Sequence, residues 1–167
     1  MIFLISGCGK DESSNANISA ANDQSAIVKN DNANIPKDDV EELDKIINLP
    51  MQPEDATWRE DNLLDKQNNN NTPVPKGKKL TVVLKFTSED AQKIVEQIDK
   101  TKPAFASDVD AASWFPPELI AKSQEFGDET LKGISYSADN FLRDPYKNGK
   151  ITRINDTDFF VLELTSL

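Results

Sequence analysis

The clearest alternation of apolar and polar positions runs from Lys79 to Phe86. Leu80, Val82, Leu84 and Phe86 fall on one side and Thr81, Val83 and Lys85 on the other, the period of a half-buried strand in an antiparallel sheet. The period then changes to that of a helix. Thr87 stands as the cap, Asp90 at the capping-box position, and Ala91, Ile94, Val95 and Ile98 form an i, i+3, i+4, i+7 stripe that ends before Pro103. Trp114-Phe115-Pro116-Pro117 introduces a second helix over Pro117 to Glu125, because proline is favoured in the first helical turn. Leu119, Ile120 and Phe126 are its expected buried residues. Glu129 to Ser137 reads as a strand interrupted by Gly133, and Ala138 to Leu142 as a single helical turn stopped by Asp144-Pro145. The chain closes on a hairpin, Lys150 to Ile154 and Asp158 to Leu164, around Asn155-Asp156-Thr157. In its last arm both side-chain sets are apolar, Phe160, Leu162 and Leu164 against Phe159 and Val161, which predicts a strand covered on both faces or central in its sheet.

Upstream the pattern is weaker. Val40, Leu43, Ile46 and Ile47 share one face of a helix over Asp38 to Asn48, capped by Asp38 or Asp39 and stopped by Pro50. Ala56 to Glu60 reads as a short strand anchored by Trp58. Gln67 to Lys78, with four consecutive asparagines and two prolines, reads as a long loop. Its length predicts that the preceding element packs on the domain instead of opening a hairpin. Thr101 to Ala112 reads as irregular. The expected fold is therefore α+β: an antiparallel sheet of about four or five strands with two main helices packed on one face, forming a single domain over 37–167 with its compact core at about 78–167. That order of elements matches no superfold from which a function could be imported.

Gly9 to Ile35 is rich in Asn, Ser, Asp and Ala, and its only larger apolar residues are Ile18, Ile27, Val28 and Ile35. Such a stretch cannot bury enough surface to offset its ordering entropy, so residues 8–36 are expected to be a disordered tether. The tether follows Ile5-Ser6-Gly7-Cys8, an aliphatic residue, two small residues and a cysteine. This run resembles the lipobox of bacterial lipoproteins. The resemblance implies that Cys8 becomes the mature N-terminus and carries lipid, and that residues 1–7 are the remnant of a signal peptide whose basic start lies upstream. Each buried methylene contributes about 0.8 kcal/mol of membrane affinity, and stable anchoring takes more than one acyl chain. Gly9 instead of Asp after the cysteine points, by the rule of that family, to the outer membrane, periplasmic side. The domain itself looks broadly similar to small uncharacterised envelope lipoproteins.

Composition narrows the chemistry. The net charge is −10, but Met1 to Lys66 holds 14 acidic and 6 basic residues, so most of the excess lies in the N-terminal part. No basic face for nucleic acid is evident. Histidine is absent, which removes the usual general base of serine and cysteine hydrolases and the commonest transition-metal ligand. Cys8 is the lone cysteine, so no disulfide staples the domain. No cofactor or metal is expected.

The remaining candidate residues each carry a plainer reading. Asp108-Val109-Asp110 opens like a calcium loop but lacks the glycine and closing glutamate of that spacing; a solvated acidic turn is the alternative. Asn155-Asp156-Thr157-Asp158 is oxygen-rich where a hairpin turn needs such residues. Glu118, Asp128 and Glu129 are candidates for paired-carboxylate glycosidase chemistry, which needs no histidine. Trp114 and Phe115, beside two prolines, are the candidate binding residues, as interface anchors or as the seat of the second helix. Tyr136, Phe141 and Tyr146 with Arg143 and Lys147 form a second aromatic-basic set, or part of the core. The sequence reading is a non-catalytic, lipid-anchored envelope protein that binds the membrane through Cys8 and an envelope protein through its domain. The rivals are an immunity or inhibitor lipoprotein, a carboxylate-dependent glycan or cell-wall hydrolase, and a purely structural spacer with no concave site.

Overall fold

The computed structural model describes residues 35–65, 74–100, 103–127 and 129–167. Cys8 and the lipobox, most of the expected tether, and Asp128 lie outside these residues, as does the side chain of Phe126. Among the described residues, nine α-helices and strands follow in order, with short 3-10 turns at Gln124–Phe126 and Asp139–Phe141: α1 (Val40–Ile46), β1 (Asp55–Asp65), β2 (Val74–Lys85), α2 (Ser88–Ile98), β3 (Phe105–Asp110), α3 (Pro117–Ser123), β4 (Thr130–Ser137), β5 (Asn148–Ile154) and β6 (Phe159–Thr165). The fold is α+β, with one antiparallel sheet of six strands in the order β1-β2-β6-β5-β4-β3.

The capping chemistry acts where expected. Asp39 Oδ1 accepts the Glu42 N–H at 2.9 Å to open α1, and Thr87 Oγ1 accepts the Asp90 N–H at 3.1 Å to open α2. The doubly apolar pattern of the last strand has its reason in the strand order: β6 pairs with β2 on one side and β5 on the other. Phe160, Leu162 and Leu164 enter one core, with Leu80, Val82, Leu84, α1 and α2. Phe159 and Val161 enter a second core, with Val83, Leu131, Ile154 and α3.

Several expectations are corrected. The sheet has six strands; the additional one, β3, occupies a stretch read as irregular. Only Val109 of β3 is buried, because β3 is an edge strand and needs no apolar alternation. The segment Gln67 to Lys78 is not all loop: β2 begins at Val74 and β1 runs to Asp65, so the two form a hairpin paired from Asp55 opposite Lys85 to Leu63 opposite Gly77 and, past a register shift, on to Asp65 opposite Val74. The lysines of that arm, Lys76, Lys78 and Lys79, disguised a strand whose partner is itself an edge. The helices capped at Thr87 and opened by Pro117 do not share a face. Two helices do lie together, but they are α1 and α2; α3 packs on the opposite side. Finally, Leu43, Ile47, Ala56 and Trp58 belong to the same core as Leu80, so the packed unit extends well N-terminal of residue 78.

Lys37 makes a two-way backbone bridge to Trp58, 2.8 Å in each direction, on the outer side of β1. Arg143 ties α1 to the β4–β5 connection through the Asp44 carbonyl and Asn48 Oδ1. A flat sheet would hold β1 and β3 about 24 Å apart, five intervals of roughly 4.8 Å. Yet the Arg59 guanidinium of β1 lies 5.4 Å from the Trp114 ring just beyond β3, and both edge strands line one cleft. The sheet is therefore strongly curled, and its two edges approach each other on the α3 side.

The double burial of β6 has a measurable consequence. Leu162→Ala should cost about 2–5 kcal/mol and Val161→Ala roughly 1–3 kcal/mol, with lower urea midpoints for both variants. A strand buried on one face only would show a loss at one of the two positions.

Candidate functional site

The α3 side of the sheet is divided by its register. Nearest α3, Val83, Val161, Ile154 and Phe159 are buried beneath Leu119 and Phe115. Further along the strands the side chains on this face turn polar. Arg59 stands opposite Thr81, Thr81 opposite Glu163, and Glu163 opposite Lys150; in the next rung Asp61 stands opposite Lys79. With seven residues, α3 is too short to cover both halves. The uncovered half is a cleft of about 250 Å³, walled by the curl of the sheet, by Asp108 and Asp110 of β3, and by Trp114.

The floor of the cleft is a checkerboard of charge. Arg59 pairs with Asp61 at 3.0 Å. Glu163 accepts from Lys79 at 2.8 Å and pairs with Lys150 at 3.2 Å. Lys150 also reaches Ser107 Oγ at 3.4 Å. Burial acts to raise the pKa of Glu163, but the hydrogen bond and charge of Lys79, with those of Lys150, outweigh it and hold the carboxyl below its ordinary value of 4.5. Asp108 is held by Lys132 at 2.8 Å. Among the described residues the Asp110 carboxylate has no ion pair or hydrogen bond. The seven charged side chains lining the cleft are three cations and four carboxylates, so it offers no strong net field to a small ion of either sign.

Trp114 and Phe115 separate in role. Phe115 is buried in the α3-side core, as the packing alternative expects. Trp114 is half-buried at the cleft wall, edge-on to Phe115 with ring centres 4.8 Å apart. Its indole Nε1 is closed off from solvent and has no hydrogen-bond partner among the described residues. An unanswered buried donor costs about 1–3 kcal/mol.

The other candidates are not brought together into a site. Asp108 and Asp110 lie on a strand, not in a metal-binding loop, and no cluster of three or more metal-ligating side chains occurs among the described residues. Asp156 takes a left-handed turn conformation, φ 57°, between β5 and β6, and Thr157 Oγ1 accepts the Phe159 N–H, so that segment serves its hairpin. Glu118 and Glu129 do not line the cleft. Tyr136, Phe141 and Tyr146 are buried in the α1/α2-side core, and Arg143 serves as a clasp, so the aromatic-basic surface does not form. Sequence reasoning missed Arg59, Asp61, Lys79, Lys150 and Glu163 entirely. They come from four strands, and only the register assembles them.

A second hollow of about 270 Å³ lies on the other side, lined by Ile35, Lys37, Trp58, Glu60 and Lys78 among others. Its Glu60 carboxylate is spent on the fold, accepting from the Tyr146 hydroxyl and from Lys78 Nζ. Burial alone would raise Glu60, but Lys78, then Tyr146, bring it below 4.5. Burial first, and then the hydrogen bond to Glu60, push the Tyr146 phenol far up, so it stays protonated and holds the clasp at all ordinary pH values.

Because folded Glu163 titrates below 4.5, its contribution to stability is complete above that pH and is lost as pH falls through the lowered value. Glu163→Gln should cost roughly 1–2 kcal/mol at neutral pH, leaving Lys79 and Lys150 facing each other without their carboxylate. The difference from wild type should shrink as pH falls through the lowered value and the native residue takes up its proton; urea titrations over a pH series from 7 downward check this. No protein-family model, no curated protein and no solved structure matches the chain.

Proposed function

We propose that this chain is a lipid-anchored protein of the bacterial cell envelope whose α+β domain is a non-catalytic binding module. The anchor rests on Ile5-Ser6-Gly7-Cys8 and on the polar, apolar-poor stretch that follows it. With Gly9 after the cysteine, the outer membrane is the proposed site of anchoring, with the domain on the periplasmic side.

The observation that carries the binding reading is the half-covered sheet face. A domain with no further task would bury or simply solvate that face. Here the face is hollowed into a walled cleft with charged side chains at fixed register positions and an aromatic wall. Such a combination of apolar wall and convergent polar groups is the usual form of a recognition site.

Catalysis receives less support from the same groups. A glycan hydrolase needs one carboxyl kept protonated near neutral pH. Glu163, in the cleft, and Glu60, outside it, are both displaced toward the ionised form by their lysines. Lys150 sits near Ser107, but its ammonium is already engaged by the Glu163 carboxylate.

The anchor is tested by expressing the full-length gene in a bacterium fed an alkyne-bearing palmitate. The expected outcome is label on the protein and recovery in the membrane fraction, both lost in Cys8→Ser. An unlabelled protein with an intact leader would overturn the anchor. For the domain, incubation with purified cell-wall glycan should release no soluble fragments. Release that disappears in Glu163→Gln would replace the binding reading with hydrolysis.

A further inference from the structure

We propose that β3 is a docking edge for an extended, basic segment of another protein, which adds as a seventh strand beside the cleft. The inference rests on the reading of the domain as a binding module and names the class of partner.

The phase of the β3–β4 ladder decides which backbone groups are free. Ala111 N–H bonds to the Glu129 carbonyl at 3.0 Å, and the register continues with Val109 opposite Leu131, Ser107 opposite Gly133 and Phe105 opposite Ser135. In an antiparallel pair the bonded positions alternate. The N–H and C=O groups of Ala106, Asp108 and Asp110 therefore point away from β4, toward the open side. Among the described residues only one of them is touched: the Asp108 carbonyl receives a long 3.4 Å contact from its neighbour Ser107. Among the described residues no other strand lies beyond β3. The opposite edge of the sheet differs, since Lys37 already occupies the outward groups of Trp58 on β1.

An open edge is normally blunted, and charge is the common device. On β3 that charge also selects. The outward-bonding residues carry Asp108 and Asp110 and no base, and the Asp110 carboxylate has no partner among the described residues. A second copy of this chain is a poor occupant. The register that pairs all three outward residues sets Asp108 against Asp108, and like charges directly opposite are destabilising. A strand bearing Lys or Arg opposite Asp110 meets the opposite charge. Phe105, with 54% of its surface exposed, offers an apolar contact at the start of the same strand. Main-chain bonds would supply affinity and these side chains selectivity, as in other cases of strand addition.

The test uses the full chain and three synthetic peptides: one alternating lysine with valine, one alternating glutamate with valine, and the lysine peptide N-methylated at alternate residues. The lysine peptide should bind and slow amide exchange at Ala106, Asp108 and Asp110, while the glutamate and N-methylated peptides should not. Asp110→Asn should weaken binding about tenfold. Ala106→Pro should abolish it, because proline removes an outward donor that the β4 ladder does not use. Equal binding of the lysine and N-methylated peptides, or protection confined to other strands, overturns strand addition. So does self-association of the full chain in sedimentation that Ala106→Pro abolishes. Binding of a cell-wall glycan fragment that Ala106→Pro leaves intact and Trp114→Ala removes also overturns it, while leaving the binding module standing. The lysine peptide, the glutamate peptide and the glycan all failing to bind would overturn both.

Discussion

Strand β6 can be satisfied only from two sides. Its side chains on both faces are apolar, and its backbone is paired on both edges, with β2 and with β5. A strand of this kind needs a cover on each face, and the rest of the chain supplies it: α1 and α2 on one side, α3 on the other. The order of the strands follows. The β1–β2 hairpin lies on one flank; α2 carries the chain across to the far edge; β3, β4 and β5 then return strand by strand until β6 closes beside β2. Burial here is the main stabilising term, because no disulfide is possible with a single cysteine.

The cover is unequal, and the inequality makes the cleft. On the α1/α2 side, Phe86, Tyr136, Phe141 and Tyr146 join the helices to fill the layer, and the Tyr146–Glu60 hydrogen bond closes its margin. On the other side one seven-residue helix covers a curled sheet. The strands answer by changing composition along their length. Val83 and Val161, one rung, lie buried; Thr81 and Glu163, the next, begin the polar floor. The cleft is thus specified by where apolar residues stop on β2 and β6, and the ion pairs of Glu163 keep that floor from collapsing into mutual repulsion of Lys79 and Lys150.

What could be read from the chain follows the same physics. Burial leaves a period, so the residues of β2, α2, α3, β4 and the final hairpin announced themselves, and the double burial of β6 was visible in Phe159 to Leu164. Edges leave no such mark. Strand β3 holds one buried side chain in six, and the outer part of the β1–β2 hairpin is rich in lysine, so both read as loop. The side on which a helix packs leaves no local mark either. Nothing in Leu119 or Ile94 says which sheet face they will meet, because that choice depends on the crossing from β2 to β3. Of the site, only Trp114 and Phe115 stood out, and they did so as large aromatics beside prolines. Arg59, Lys79, Lys150 and Glu163 look like ordinary surface charges until register places them in adjacent rungs.

The features that escape a sequence reading are therefore those available for binding. A residue engaged in the core is bound to its period by burial, and its chemistry is consumed there. Edge backbone, half-covered rungs and a wall residue such as Trp114 are free of that constraint, and selection can set them without disturbing the fold. The two edges of this sheet show the difference. On β1 the chain's own Lys37 closes the backbone at Trp58 and commits that edge to stability. On β3 the corresponding groups stay open, and the side chains that discourage self-pairing are carboxylates, which leave a basic strand as the complementary guest. An edge kept open and charged with one sign excludes copies of itself while staying accessible to an opposite partner.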